Sequence, residues 1–375
     1  MNGNEIRKCP YCAASFRLGD CRVVSAVSSS RLAAFEVDDE DSESPKDFDV
    51  LAEAPNQAGR KWFDTPKGLR RPDREWPAEL IPRRQCPKSG CGNPLPLEID
   101  ECTVVELAVV GLNRAGKTYW IGSAFTRATR TDDLAEFGIE RVTPLEQTAE
   151  ILHSNYYLPL FRRSTHQLNF TEVDHHLNEP PLMFEVKLVG SEPVILVVRD
   201  VSGEVLVAQQ SRLRKASFVT SAEAVAFMVD PRDMFQVADD LLESEDDLLE
   251  RNINQVSLLE AVLRENTQRR PLAIVVSKGD LLEELRPDVT PLGKPEGNES
   301  AGSLGEHSDL ARRMLLELGE RRLVSLADSA PPVSYHVVSV LGRMSARAAR
   351  AGRPASIGIL QPLAVLLNRV CRNLR

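Results

Sequence analysis

Residues 111–118 read Gly-Leu-Asn-Arg-Ala-Gly-Lys-Thr and satisfy the spacing G-x-x-x-x-G-K-[ST]. That spacing serves the holding of a nucleotide's phosphates. A glycine-rich turn aims backbone N–H groups at the anionic oxygens, and the N-terminus of a following helix adds partial positive charge. In this arrangement Lys117 reaches the β- and γ-phosphates, and Thr118 holds Mg2+ through its hydroxyl. Gly111 and Gly116 are expected to be glycines because a side chain would block the approach of the phosphates. The candidate phosphate-binding set is Gly111, Asn113, Arg114, Ala115, Gly116, Lys117, Thr118 and Tyr119.

Three further signals follow in chain order. Asp200-Val201-Ser202-Gly203-Glu204 comes after the apolar run 194–198. An acid at a strand end facing a phosphate loop holds Mg2+, usually through water, and a glycine three residues on offers its N–H to a γ-phosphate. After the run 272–276 comes Ser277-Lys278-Gly279-Asp280, where a carboxylate can accept the paired N1–H and N2 amino donors of guanine. Adenine lacks that pair, so a site built this way discriminates strongly. Lys278 would lay its aliphatic stem over the base plane. Last, Ser339-Val340-Leu341-Gly342 presents backbone N–H groups to the guanine carbonyl.

These residues need strand ends to carry them. The pattern from 103 onward gives strands near 103–110, 182–189, 194–199, 224–229, 272–277 and 333–339, with helices between most of them. Strands alternating with helices form a mostly parallel α/β sheet covered on both faces, and ligands bind such sheets at the strands' carboxyl ends. Only GSEP separates 182–189 from 194–199, a hairpin length. Residues 118–130 read as the helix after the phosphate loop, 286–308 as a surface loop, and 239–250 as an exposed acidic helix face. Pro362 opens a closing helix with Leu363, Leu366, Leu367, Val370 and Leu374 on one face.

In this order the motifs resemble the TRAFAC class of P-loop GTPases, over roughly 103–375. More narrowly, VVGLNRAGKTYWI, FMVDP at 227–231 and VVSVLG at 337–342 are similar to the bacterial double-GTPase group, whose members are often preceded by cysteine-rich ribbons. The resemblance implies a Ras-like sheet, binding of GTP and GDP with Mg2+, slow hydrolysis and a conformational switch. Three departures stand out. Ser277 replaces the usual asparagine of the guanine box. Glu204 stands where Ras-like members place a water-orienting glutamine, which suits slow or partner-dependent hydrolysis. The switch segment is long, and Thr171, with Thr165 second, is the expected Mg2+-contacting threonine.

Residues 1–100 differ in composition from 101–375, and we read them as a separate module. Cys9-Pro-Tyr-Cys12 and Cys86-Pro-Lys-Ser-Gly-Cys91 have the spacing of two zinc knuckles, as in structural Zn2+ sites built from four cysteines. A redox Cys-x-x-Cys and inert thiols are the other readings. The pairs are far apart, so the ribbon carries a long insertion that includes the acidic run 36–49 and the Pro/Arg-rich stretch 66–84. Loop closure cost grows slowly with length and permits this. Cys21 either replaces a ligand or belongs to the insertion, while Cys102 and Cys371 read as core cysteines. Such a module serves to dock a protein partner.

Lys and Arg number 46 against 55 Asp and Glu, a net charge of −9, which disfavours a nucleic-acid-gripping surface. The aromatic residues near the basic stretch, Trp62, Phe63 and Trp76, are too few for a base-stacking platform. The apolar runs are too short to span a membrane, and the first ten residues lack the apolar core of a signal peptide, so a cytoplasmic location is expected. A GTP-hydrolysing switch is the leading reading. A non-hydrolysing nucleotide-dependent scaffold and an ATP-dependent enzyme are the alternatives.

Overall fold

The computed structural model describes residues 5–27, 52–53, 64–65, 68–69, 80–162, 181–203, 218–234, 236–237, 245–265, 270–291, 304–330, 332–342 and 356–373. The strands are β1 (Ile6–Lys8), β2 (Ser15–Arg17), β3 (Arg22–Val27), the two-residue β4 (Ala52–Glu53), β5 (Asp64–Thr65) and β6 (Gly68–Leu69), and then β7 (Leu80–Gln85). The larger unit contains β8 (Thr103–Gly111), β9 (Ile139–Pro144), β10 (Leu182–Leu188), β11 (Val194–Ser202), β12 (Ala224–Val229), β13 (Leu272–Val276) and β14 (Val333–Val337). Helices are α1 (Lys117–Ala128), α2 (Thr148–Ile151), α3 (Glu245–Glu265), α4 (Gly279–Leu285), α5 (Leu304–Glu317), α6 (Arg321–Asp328) and α7 (Gln361–Asn373). A π-helical stretch, Leu152–Arg162, continues from α2.

Seven strands form one sheet in the order β14-β13-β12-β8-β11-β10-β9. Parallel pairing runs from β14 through β11, whereas β10 pairs antiparallel with both β11 and β9. The hairpin expected around GSEP is present, with Leu182 opposite Val198 and Val186 opposite Val194. Placing β8 at the centre explains its composition. Eight of its nine residues are buried, because helices cover both faces and neighbours flank both edges.

One strand departs from the expected set. β9 lies in the segment between the first helix and the hairpin, and its exposed Glu140 and Arg141 interrupt any apolar run. Those charges are used across the edge pair, Arg141 bonding Glu185 at 3.0 Å and Glu140 bonding Lys187 at 3.0 Å. An edge strand held by side-chain pairs does not need the continuous apolar stretch by which central strands are found.

One core beneath the sheet includes Trp120, Ile121, Phe125 and Phe184 with Leu363, Leu366, Leu367 and Val370 of α7. The expected closing helix therefore packs on the sheet, and Trp120 Nε1 donates to Ile359 O at 2.9 Å to fix its approach. The opposite core joins Val110, Phe227, Ile274 and Tyr335 to Leu258, Leu259, Met314 and Leu323. The loop read at 286–308 gives way to α5 at Leu304, and residues 292–303 lie outside the described residues. The acidic segment 239–250 is helical in backbone from Glu245, while 238–244 lies outside them.

Among the described residues, the N-terminal part contains paired strands. β1 pairs with β2, and β3 pairs with β7 from Arg22 opposite Gln85 to Val27 opposite Leu80. A third core then joins Cys9, Phe16, Leu18, Cys86, Leu95 and Ile99 to Val104, Met183, Ile195 and Val197 of the large sheet. Apolar residues from both parts share one interior.

Candidate functional site

The phosphate-loop residues lie where β8 ends and α1 begins. Arg114 (φ 65°) and Gly116 (φ 82°) both take left-handed backbone, and this turns the chain sharply into the helix. Lys117 is buried and donates from Nζ to Gly111 O at 2.9 Å and Leu112 O at 2.8 Å. The ammonium is thus folded back over the loop, beside the concavity that the turn encloses. Gly111 has a packing reason besides the one expected from phosphate approach. A Cβ there would lie 2.8 Å from Met228 O on β12.

Parallel pairing of β8 with β11 sets Ser202 opposite Gly111 and Asp200 opposite Val109. Thr118 Oγ1 consequently donates to Asp200 Oδ2 at 2.9 Å, although 82 residues separate them in sequence. A Cβ on Gly203 would meet Gly111 O at 2.9 Å and Leu258 Cδ2 at 2.3 Å, so glycine is required where this strand end presses on the loop. The fold therefore brings Lys117, Thr118, Asp200 and Gly203 together. Thr171, Thr165 and Glu204 lie outside the described residues.

The base-side candidates converge from two more strand ends. Asp280 Oδ1 accepts a hydrogen bond from Ser339 Oγ, and Ser339 Oγ accepts from Gly342 N at 2.9 Å. Ser339 also pairs its backbone with Ile357 in an isolated bridge. The loop containing Val340 and Leu341 is thereby tied to the carboxylate that its sequence position suggested. Lys278 adopts left-handed backbone (φ 51°) and donates from Nζ to Arg114 O at 3.0 Å and to Asp230 Oδ2. Ser277 is buried, and its Oγ donates to Val229 O at 3.2 Å.

Asp230 is a site residue that sequence reasoning missed, although it lies in FMVDP. It is 2% exposed and also receives Arg232 N at 3.1 Å and Arg232 Nη2 at 2.6 Å. Burial pushes its carboxyl up, but the Arg232 hydrogen bonds and the Lys278 charge outweigh that and hold it below the ordinary carboxylate range. The sequence signal available was an acid at the end of an all-apolar strand, the position occupied by Asp200 on β11.

Cys9, Cys12, Cys86 and Cys91 place their four sulfurs within 4.8 Å of one another. Cys9 and Cys91 are 3.8 Å apart, and Cys12 and Cys86 are 3.9 Å apart. Four sulfurs bound tetrahedrally at about 2.3 Å from one ion would be about 3.8 Å apart, so the cluster has the dimensions of a four-thiolate metal site. Hydrogen bonding with Cys12 pushes the Cys9 thiol up, and the same contact pulls the Cys12 thiol down. Cys21 is not in the cluster and contacts Arg17 O instead. Cys102 and Cys371 are buried among apolar residues.

The first knuckle is bound to the sheet through polar contacts that sequence reasoning missed. Arg199, next to Asp200 on β11, donates from Nη2 to Pro10 O at 2.5 Å and Tyr11 O at 3.1 Å, the carbonyls between Cys9 and Cys12. Its guanidinium also bonds Glu106 Oε1 at 3.3 Å and lies 4.0 Å over the Phe218 ring. Lys8 bonds Glu106 Oε2 at 2.7 Å and Glu223 Oε1 at 3.0 Å. A buried glutamate on the central strand thus joins the cysteine module to the sheet.

Fold and loop together define a P-loop GTPase-like α/β protein. The model of the Double-GTPase 2 family matches residues 106–308, more than half of the chain. The chain belongs to this family, and binding of a guanine nucleotide goes with that membership. A curated relative, the putative ESX-1 scaffolding and assembly protein SaeC of Mycolicibacterium smegmatis, is 28% identical over 207 residues, covering 52% of this chain and 51% of that protein. The chain thus spans about half the length of the curated relative it matches.

Among solved structures, a small COPII coat GTPase SAR1 from Encephalitozoon cuniculi with GDP is 14% identical, with a TM-score of 0.31, covering 72% of this chain and 81% of that one. The Arl6 small GTPase of Trypanosoma brucei with GppNp is 14% identical at a TM-score of 0.31, covering 72% and 99%. Scores this low carry no functional weight. Among the described residues no helix is long and apolar enough to cross a membrane.

Proposed function

We propose that the chain is a GTP-hydrolysing switch whose nucleotide site is built from Gly111 to Tyr119, Asp200, Gly203, Lys278, Asp280 and the 339–341 loop. The observation that carries this reading is the Thr118 Oγ1 to Asp200 Oδ2 contact at 2.9 Å beside the Lys117 ammonium. Two oxygens that close together suit one Mg2+, Thr118 directly and Asp200 through water. When bound, the ion would neutralise charge on the β- and γ-phosphates. Lys117 would exchange a loop carbonyl for phosphate oxygens, and the backbone N–H groups of Asn113 to Thr118 would cradle them. Gly203 would offer its N–H to the γ-phosphate, Glu204 would orient the attacking water, and Thr171 would contact the ion.

At the other end, Asp280 would accept the guanine N1–H and N2 donors, with backbone N–H groups of Ser339, Val340 and Leu341 facing the carbonyl. We further propose that Cys9, Cys12, Cys86 and Cys91 hold Zn2+, that 1–100 docks a protein partner, and that the protein works in the cytoplasm. The sulfur spacing supports the metal reading, and the relative's description as a scaffolding protein makes a protein partner the natural class.

The test is turnover of GTP and ATP side by side with Mg2+, against a Lys117→Ala control, with metal analysis of the same sample. GTP turnover above that control and about one Zn2+ per chain are expected. Equal use of ATP would sink the base assignment, and metal-free folded protein would sink the zinc assignment. A non-hydrolysing scaffold is the second reading, motivated by Glu204 in place of glutamine. It requires tight GTP binding with turnover no faster than the control.

A further inference from the structure

We propose that Asp230 is a positioning residue of the base site, acting through Lys278; the proposal rests on the reading of Lys278 and Asp280 as the base-binding pair. Lys278 occupies a left-handed backbone conformation, φ 51° and ψ 40°, uncommon for a residue with a side chain. Something must hold it there. The hydroxyl of its neighbour Ser277 is engaged by Val229 O, and that side chain faces Gly116. Neither contact involves the Lys278 side chain.

Asp230 supplies the brace instead. Its carboxylate, at the end of β12, takes the Lys278 ammonium on Oδ2, while Arg114 O of the phosphate loop takes the same ammonium at 3.0 Å. Both acceptors hold the same ammonium, so the lysine is pinned at its tip and its methylene stem becomes a fixed shelf rather than a free chain. A shelf of that kind offers apolar surface to one face of a flat base.

Asp230 is itself locked. Arg232 N and Nε donate to Oδ1 at 3.1 and 3.2 Å, and Arg232 Nη2 donates to Oδ2 at 2.6 Å. The carboxylate also caps the short turn Pro231–Asp233 through the Arg232 N bond. At 2% exposure Asp230 has no surface for the nucleotide, so its influence passes through Lys278. Two acids divide the work: Asp280, held by Ser339, faces the base edge, and Asp230 sets the plane.

The test is a double-mutant cycle in the full chain, read by titration with fluorescent GDP and ADP: wild type, Asp230→Asn, Lys278→Met and the pair. Asp230→Asn should weaken GDP binding about tenfold, mainly through faster release, and ADP binding less, since without the Asp280 pairing adenine is held less firmly on the shelf. Lys278→Met should behave alike, and the double variant should be no weaker than Lys278→Met alone. Asp230→Glu keeps the charge and should recover most of the affinity, and it serves where Asp230→Asn does not fold. Losses that multiply in the double variant, or equal losses for GDP and ADP, would overturn the proposal as a merely structural effect. If wild type binds ADP as tightly as GDP, the base reading itself fails, an outcome visible before any variant is made.

Discussion

Replacing Glu106 by alanine should partly detach the cysteine module from the sheet. Glu106 is 1% exposed on the central strand, where Oε2 accepts Lys8 Nζ at 2.7 Å and Ser221 Oγ at 2.6 Å, and Oε1 accepts Arg199 at 3.3 Å. Burial pulls the Arg199 guanidinium down from its ordinary value, and Glu106 is the leading group offsetting that. Removing one partner from a buried ion pair costs about 3–5 kcal/mol, because the charge left behind is uncompensated. Arg199 keeps Pro10 O and Tyr11 O, and Lys8 keeps Glu223, so the lower figure of about 3 kcal/mol applies. With a urea slope of about 3 kcal/mol per molar, the midpoint falls by about 1 M. Urea unfolding followed by circular dichroism measures this. Thiol labelling of the same samples reads the module, since Cys9 and Cys86 are buried at its junction with the sheet. The variant should label faster at urea concentrations below its midpoint. A midpoint within about 0.3 M of wild type, a change of about 1 kcal/mol at that slope, with labelling unchanged, would refute the assignment of Glu106 as the anchor.

Two other expectations follow from buried groups. His336 is buried in β14 with Nε2 3.1 Å from Ser334 Oγ, and burial pulls its pKa down to about 3. Because the unfolded chain takes up this proton near pH 6.5 and the folded chain does not, stability is full above that pH and falls as pH drops toward 3. Between pH 7 and 5 the loss from this residue is about 2 kcal/mol, and His336→Asn should flatten the measured profile by that amount. Gly111→Ala forces a Cβ to 2.8 Å from Met228 O, a backbone atom that cannot rotate away. It should cost about 1–3 kcal/mol in chemical unfolding. Gly305→Ala, with nothing within 4 Å, is the matched control and should be neutral or slightly stabilising. Equal effects from the two substitutions would contradict the packing argument.

Motif spacing and periodicity in the chain were enough to locate the phosphate loop, the strand-end acids Asp200 and Asp280, the hairpin and the closing helix. Each of these is local: a turn, a strand or an amphipathic helix is specified by residues close together along the chain. The two cysteine pairs were legible for the same reason, since each knuckle is a short turn. Their meeting in one cluster, across the segment between Cys12 and Cys86, was an inference from residue type that the folded structure bears out in geometry.

Tertiary structure alone decided the rest. Strand β9 is an edge strand whose exposed charges pair across to β10, so its identity depends on a neighbour distant in sequence. Gly111 is constrained by a carbonyl on β12 as well as by its place in the phosphate loop. Glu106, Arg199 and Lys8 belong to three separate strands, and nothing in their local sequence marks them as one network. The same holds for Asp230 and Lys278, 48 residues apart. A single buried charge in an apolar strand reads as an anomaly, and only packing reveals the partner that offsets the cost of its burial.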